Sequence, residues 1–360
     1  CIVSMSVCRK VTIKIIIQEL LVGERALFQA KDLSIFNCTF EDGESPLKES
    51  SNIDLHETNF KWKYPLWYSN NVTLENCVLF DTARSGIWYT HNIEINNSLI
   101  AAPKTFRRAN NIRLNDVDMP NALETLWNCQ DIEINNASIK GDYFGFNSKN
   151  FKGTNINLVG NYFFDGGSNI EIHNSKLISK DAFWNCENVV VYDSIIYGEY
   201  LGWNSKNIKF VNCTIESLQG MCYMDNVVLE NCKLINTTLA FEYSNVNATI
   251  KGSVDSVFNP SSGIIKADKI KELIMDETKV DPSKTKIVTG ATSKSISATH
   301  IGSSFSATSH FKDCVLVLSI GVSKSYLSVH SIALSLHHYY SDIFYLFCHL
   351  TSPLVIIGYL

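Results

Sequence analysis

The chain has 360 residues, a hydrophobic share of 45% and a formal net charge of −5, with an isoelectric point near 6.0. That composition supports a sizeable core and argues against nucleic acid as a main partner, which would favour a basic surface. It leaves sugars, small ligands and other proteins open as partners.

In chain order, residues 1–22 come before any clear repeat. The chain opens at Cys1 without Met and reads as a fragment or an incomplete gene product. Ile15, Ile16 and Ile17 are apolar, but Gln18 and Glu19 interrupt the run, so no signal peptide is read here. Val11–Leu21 is read as an N-terminal cap.

A repeat of about 19 residues occupies 23–288. An apolar residue preceded by Asn or Asp recurs at Leu33, Ile53, Val72, Ile93, Ile112, Ile132, Phe151, Ile170, Val189, Ile208, Val227 and Val246. The preceding residues are Asp32, Asn52, Asn71, Asn92, Asn111, Asp131, Asn150, Asn169, Asn188, Asn207, Asn226 and Asn245. Asn and Asp tolerate the left-handed backbone region, so each marks a tight turn between strands. Stacked at the strand spacing, their amides form an Asn ladder. Period-two alternation follows, as in Ile53-x-Leu55 and Ile170-x-Ile172, and predicts a strand with one buried face. A second short strand ends near Phe60, Leu79, Ile100, Ile139, Leu177, Ile196, Ile215 and Leu234. A third is expected to carry a large aromatic: Phe28, Trp67, Trp88, Trp127, Phe146, Phe164, Trp184, Trp203, Tyr223 or Phe241. These rings are read as core, with a carbohydrate-stacking platform as the alternative. Three strands per turn predict an all-β fold, a right-handed single-stranded parallel β-helix of about 12 rungs with a non-repeat C-terminal tail.

Ile264–Met275 reads as a last turn or closing strand. Residues 289–360 form a Ser/Thr-rich linker and an apolar tail, read as disordered or as a gene-model artefact. Residues 343–360 carry no Asp, Glu, Lys or Arg and are the one stretch through which a membrane contact is conceivable, at the lower limit of a span.

Cys38, Cys77, Cys213 and Cys232 share one repeat position and Cys129 and Cys186 another. They read as small buried side chains with reduced thiols, and so as a sign of a cytoplasmic location. Sequons at Asn37, Asn71, Asn96, Asn136, Asn212, Asn236 and Asn247 mostly follow from the repeat.

Several stretches resemble the β-helix family known as domain of unknown function 3737. They are Gly23-Glu-Arg-Ala-Leu-Phe28, Glu44-Ser-Pro-Leu-Lys-Glu-Ser50, Tyr64-Pro-Leu-Trp67, Ile87-Trp-Tyr89, Asp181-Ala-Phe-Trp184, Gly198-Glu-Tyr-Leu-Gly-Trp203 and Leu239-Ala-Phe-Glu242. The resemblance spans about residues 15–285 and implies a fold near the pectin-lyase-like superfold. It implies no activity.

A charged row lies two to four residues before the aromatics: Glu24, Glu44, Lys63, Arg84, Lys104, Glu124, Asp142, Asp181 and Glu199. Equal positions in adjacent rungs lie about 5 Å apart. Glu24 with Glu44, and Glu124 with Asp142, are therefore candidate carboxylate pairs of the kind used in retaining glycoside hydrolysis. Arg84, Lys104, Arg107 and Arg108 form a basic patch suited to an acidic sugar or other anion, with Tyr68 and Tyr89 stacked beside it. The competing reading is a solvated, charge-alternating face. The Gly-His-Gly and Arg-x-Lys elements of pectin-active hydrolases are missing, and no Asp cluster for calcium is seen. His56, His91 and His173 are isolated, so no metal and no cofactor is expected. The favoured function is a non-catalytic carbohydrate- or protein-binding scaffold. The alternatives are a polysaccharide hydrolase or lyase, and a tail-anchored surface rod.

Overall fold

Left-handed residues at the corners turn short strands into a coil. In the computed structural model, which describes residues 15–292 and 295–297, eleven of the corner positions from Asp32 to Asn226 have φ between 52° and 64°. A side chain beyond Asn or Asp pays about 1–2 kcal/mol there, which explains the strict residue choice. The corner amides bond along the coil. The Nδ2 atoms of Asn169, Asn188, Asn207 and Asn226 each donate to Oδ1 one coil earlier, at 3.0, 3.1, 3.0 and 2.9 Å. Asn92 departs from this and donates to Asn70 Oδ1 at 2.8 Å.

A second left-handed corner lies five residues further on, at Asn37, Glu57, Asn76, Asn97, Asp116, Asn136, Asn155, Asn174, Asp193, Asn212 and Asn231. It too carries ladder bonds, from Asn155 to Asn136 at 3.0 Å, Asn212 to Asp193 at 3.0 Å and Asn231 to Asn212 at 2.6 Å. Between the two corners runs the first sheet. Its inner column is Ile16, Ile35, Leu55, Leu74, Ile95, Leu114, Ile134, Gly153, Ile172, Val191, Phe210, Leu229, Ala248, Ile265 and Ile287, every neighbour paired in parallel. Those fifteen positions define about 14 turns, a rod on the order of 65 Å at about 4.8 Å per turn. The coil is already wound at Ile15–Ile17 and Leu20–Val22, and it continues past Met275 through Thr285–Thr292 and Ser295–Ser297. The second sheet follows the second corner, with Phe40, Phe60, Leu79, Ile100, Met119, Ile139, Leu158, Leu177, Ile196, Ile215 and Leu234 inside. Among the described residues there is no α-helix.

The third side differs from expectation. It is not a strand over most of the coil. Among the described residues of this side, only Ile87–Trp88 and Phe106–Arg107 pair as two-residue strands. Elsewhere the chain alternates left-handed residues four apart, such as Tyr64 (φ 61°) and Tyr68 (φ 57°). Rung-to-rung bonds still continue, as in Leu66 N–H to Gly86 O at 2.8 Å. The inner column here is Leu27, Leu47, Leu66, Ile87, Phe106, Leu126, Phe164, Phe183, Met221 and Phe241, all buried. Gly145 and Gly202 complete it; a Cβ at Gly145 would lie 2.4 Å from the Phe164 ring. The aromatic row read as core therefore splits. Phe164 and Phe241 are buried. Phe28, Trp67, Trp88, Trp127, Phe146, Trp184 and Trp203 sit one place further along, half-buried on the outside, and Tyr223 is exposed.

Ser, Thr and Cys line the inner side of the corners and satisfy the backbone that turning leaves unpaired. Ser205 Oγ donates to Phe183 O at 2.6 Å and accepts from Cys186 N–H at 2.8 Å. Ser148 Oγ does the same with Leu126 O at 2.6 Å and Cys129 N–H at 2.9 Å. The seven described cysteines are buried and free. Desolvation pushes Cys77 up to about 11 and Cys129 up to about 12.

Candidate functional site

The third side gathers charge and aromatic rings on one wall, because its left-handed residues point alternate side chains outward. Four indoles are pinned by bonds to the backbone of the next coil: Trp67 Nε1 to Ser85 O at 2.6 Å, Trp88 to Lys104 O at 2.8 Å, Trp184 to Tyr200 O at 2.6 Å and Trp203 to Gln219 O at 2.6 Å. Each ring is thus fixed edge-on to the rod, its indole nitrogen against the next coil. Trp67 and Trp88 stack at 5.1 Å and 7°, and beside them Tyr68 and Tyr89 stack at 4.8 Å and 3°.

Arg107 continues the tryptophan row. Its guanidinium lies 4.6 Å from the Trp88 centroid and 5.0 Å from that of Trp127, a double cation–π contact. Its Nη2 reaches Glu124 at 3.4 Å, while its Nε is buried without an acceptor among the described residues. Lys104 reaches the same Glu124 oxygen at 3.0 Å. Two cations therefore share one carboxylate. Arg108 lies over Tyr89 at 5.9 Å and is exposed, as is Arg84. Neither has an ion-pair partner within 4.0 Å among the described residues. Arg84, Lys104, Arg107, Arg108, Tyr68 and Tyr89 thus fall on three successive coils of one wall.

The candidate carboxylates are placed differently from one another. Glu24 and Glu44 keep register, since Arg25 N–H donates to Glu44 O at 2.9 Å. Glu24 pairs with Arg25 at 3.4 Å and Glu44 with Lys63 at 3.0 Å. Glu124 and Asp142 are offset by one position, with Glu124 N–H donating to Asp142 O at 2.9 Å. Asp142 Oδ1 accepts from Asn161 N–H at 2.8 Å. The charged row therefore occupies two adjacent columns: Lys104, Glu124 and Asp181 in one, Glu24, Glu44, Lys63, Arg84, Asp142 and Glu199 in the other.

Elsewhere on the rod the sites are slighter. His56 pairs with Asp54 at 3.1 Å and stacks on Phe36. His173 contacts Glu171 at 2.7 Å, a hydrogen bond that holds the Glu171 carboxyl below the usual range. No group of three or more potential metal ligands occurs among the described residues. Two surface depressions of about 240 and 430 Å³ lie over the first and second sheets, the former along Asn71, Asn92 and Asn111 and the latter along Asn155, Asn174 and Asp193. The residues 343–360 considered for membrane contact lie outside the described residues, among which no helix is long and apolar enough to cross a membrane.

Residues 14–288 match the model of a family described as protein of unknown function, DUF3737. The chain belongs to the DUF3737 family. No curated protein matches it. Among solved structures, this DUF3737 solenoid is similar to PfbA, a surface adhesin of Streptococcus pneumoniae, at 10% identity and a TM-score of 0.30, over 79% of this chain and 84% of that one. It is also similar to a double mutant of the tailspike protein of E. coli bacteriophage HK620, at 10% identity and a TM-score of 0.22, over 75% and 56% of the two chains. Similarities this distant carry no functional argument for the DUF3737 chain.

Sequence reasoning put the core reading of the tryptophan row ahead of the outward one, whereas Trp67, Trp88, Trp127, Trp184 and Trp203 are half-buried on the outside. The signal was available: Trp67, Trp88 and Trp127 each follow a smaller apolar residue, Leu66, Ile87 and Leu126, that fills the core instead.

Proposed function

We propose that this DUF3737 solenoid is a non-catalytic binding scaffold that holds an acidic carbohydrate against its third side. The observation that carries this reading is the pair Arg84 and Arg108, exposed and without carboxylate partners among the described residues, beside the stacked Tyr68 and Tyr89. A guanidinium fork takes a sugar carboxylate or sulfate in bidentate fashion. Tyrosine beside it supplies an amphipathic edge for the sugar hydroxyls and C–H groups. Lys104 and Arg107, sharing Glu124 alone, keep the local potential positive. The nearby carboxylates Glu44 and Glu124 are each neutralised by a cation, which favours holding a ligand over cleaving it.

Isothermal titration of the full chain with an oligogalacturonate and with a neutral glucan oligomer tests this. The uronate is expected to bind, more weakly as salt rises. The double variant Arg84→Ala/Arg108→Ala is expected to lose about tenfold or more in affinity. Equal binding of the neutral oligomer, or no loss in the variant, counts against the proposal. Shortened oligomers in the titration mixture favour the polysaccharide hydrolase or lyase instead.

A further inference from the structure

The aromatic wall changes character along the rod. In the first half, rings of successive coils lie face to face, as at Trp67–Trp88 and Tyr68–Tyr89. Stacked rings turn their edges outward and spend their faces on each other. Beyond Tyr162 the tryptophans still stack, Trp184 on Trp203 at 5.9 Å and 13°, but the tyrosines no longer do: they incline to the tryptophans and to one another, Tyr223 meeting Tyr243 at 44°. Tyr162 meets Trp184 at 89°, Tyr200 meets Trp203 at 72° and Trp203 meets Tyr223 at 60°, with centroids 6.0, 5.1 and 5.3 Å apart. The Tyr223 ring, inclined to both Trp203 and Tyr243, is exposed and open to a ligand.

Glu199 and Glu242 border these rings. Glu242 is half-buried beside the Tyr223 hydroxyl, which donates to its Oε2 at 3.4 Å, and it has no cation within 4.0 Å among the described residues. Burial holds its carboxyl above the usual range, opposed first by the hydrogen bond from Tyr223 and then by the more distant charge of Lys279. The wall already shows the kind of group it accepts. Lys180 Nζ stands 5.5 Å over the Tyr200 ring and 3.9 Å from Glu199. An ammonium between an aromatic face and a carboxylate is thus built into the coil one rung earlier, and Trp203, Tyr223 and Glu242 repeat those elements with no cation in contact with the carboxylate among the described residues.

We infer that Tyr200, Trp203, Tyr223 and Glu242 form a second binding site, and that it takes an ammonium-bearing sugar of the glucosamine type. A pyranose offers an apolar C–H face to the inclined rings and its ammonium to Glu242. A lysine side chain of a protein partner satisfies the carboxylate alone. This site lies apart from Arg84 and Arg108 and does not depend on the acidic-carbohydrate reading.

The test is calorimetric titration of the full chain with a glucosamine tetramer, an N-acetylglucosamine tetramer and tetralysine. The glucosamine tetramer is expected to bind, and acetylation to weaken it by about tenfold or more, since it removes the charge that both the rings and Glu242 recognise. Glu242→Gln, which keeps shape and removes charge, is expected to weaken it by about tenfold, while Arg84→Ala/Arg108→Ala leaves it unchanged. Amide chemical-shift changes confined to residues 199–244 of the unaltered chain provide a readout that needs no variant. Equal affinity for both tetramers, indifference to Glu242→Gln in a folded variant, shifts elsewhere on the rod, or binding of tetralysine without glucosamine each overturn the inference.

Discussion

Replacing Asn188 separates the two roles of the corner. Its Nδ2 donates to Asn169 Oδ1 at 3.1 Å and its Oδ1 accepts from Asn207 at 3.0 Å, while its backbone sits at φ 59°. Asn188→Ala loses both bonds, worth about 0.5 kcal/mol each at an exposed site. It also removes the local side-chain bonding by which Asn tolerates the left-handed region, leaving the strain on Cβ uncompensated at a cost of about 1–2 kcal/mol, for a total of about 2–3 kcal/mol. Asn188→Gly loses the same bonds and adds about 0.5 kcal/mol of chain entropy but no Cβ strain, for about 1.5 kcal/mol. Urea unfolding followed by far-ultraviolet circular dichroism and by tryptophan fluorescence reads the two costs, the paired probes testing that the transition is cooperative. Alanine should be the worse substitution by about 1 kcal/mol. If glycine proves as damaging as alanine, the corner is selected for its ladder and the backbone argument fails.

Ser205→Ala should cost about 2 kcal/mol, because it leaves the buried Cys186 N–H without an acceptor; a melting temperature equal to that of the unaltered chain refutes the stapling role. The raised carboxyl of Glu242 favours the folded state below the ordinary glutamate range, an advantage lost as pH rises through the raised value. Melting temperature should therefore fall across that interval, and Glu242→Gln should flatten the fall. Cys77 and Cys129, pushed up to about 11 and about 12, should resist iodoacetamide at pH 8 until the chain is unfolded; peptide mapping that finds either modified in the native protein contradicts their placement.

The recurring Asn before an apolar residue was enough to read the coil, because left-handed backbone geometry admits few residue types. The second corner obeys the same constraint, five residues on, yet escaped notice. It includes Glu57 as well as Asn and Asp, and it falls inside the apolar alternation, where a single polar residue looks like an outward-facing strand position. The third side was misread for a related reason. Two left-handed residues four apart, as at Tyr64 and Tyr68, reverse the in–out count, so Leu66 faces the core and Trp67 faces out. Hydrophobicity alone favours the larger ring for the interior. The basic patch was legible because like residues in neighbouring coils become neighbours in space. The offset that separates Glu124 from Asp142, expected as a pair, was not, because a slip of one position between coils is invisible when coil length varies.

That variation has its own logic. The coil from Asn71 to Asn92 is longer than most, and a single 3-10 turn at Asp81–Ala83 takes up the slack. Both neighbouring coils still pair residue for residue on the first sheet. Each corner restarts the count, so a lengthened segment at the junction of the second sheet and the third side does not propagate. Foreign loops spliced at Asp81–Ala83 should be carried as local ornaments on an undisturbed rod, which makes that junction the natural place to enlarge or retune the wall.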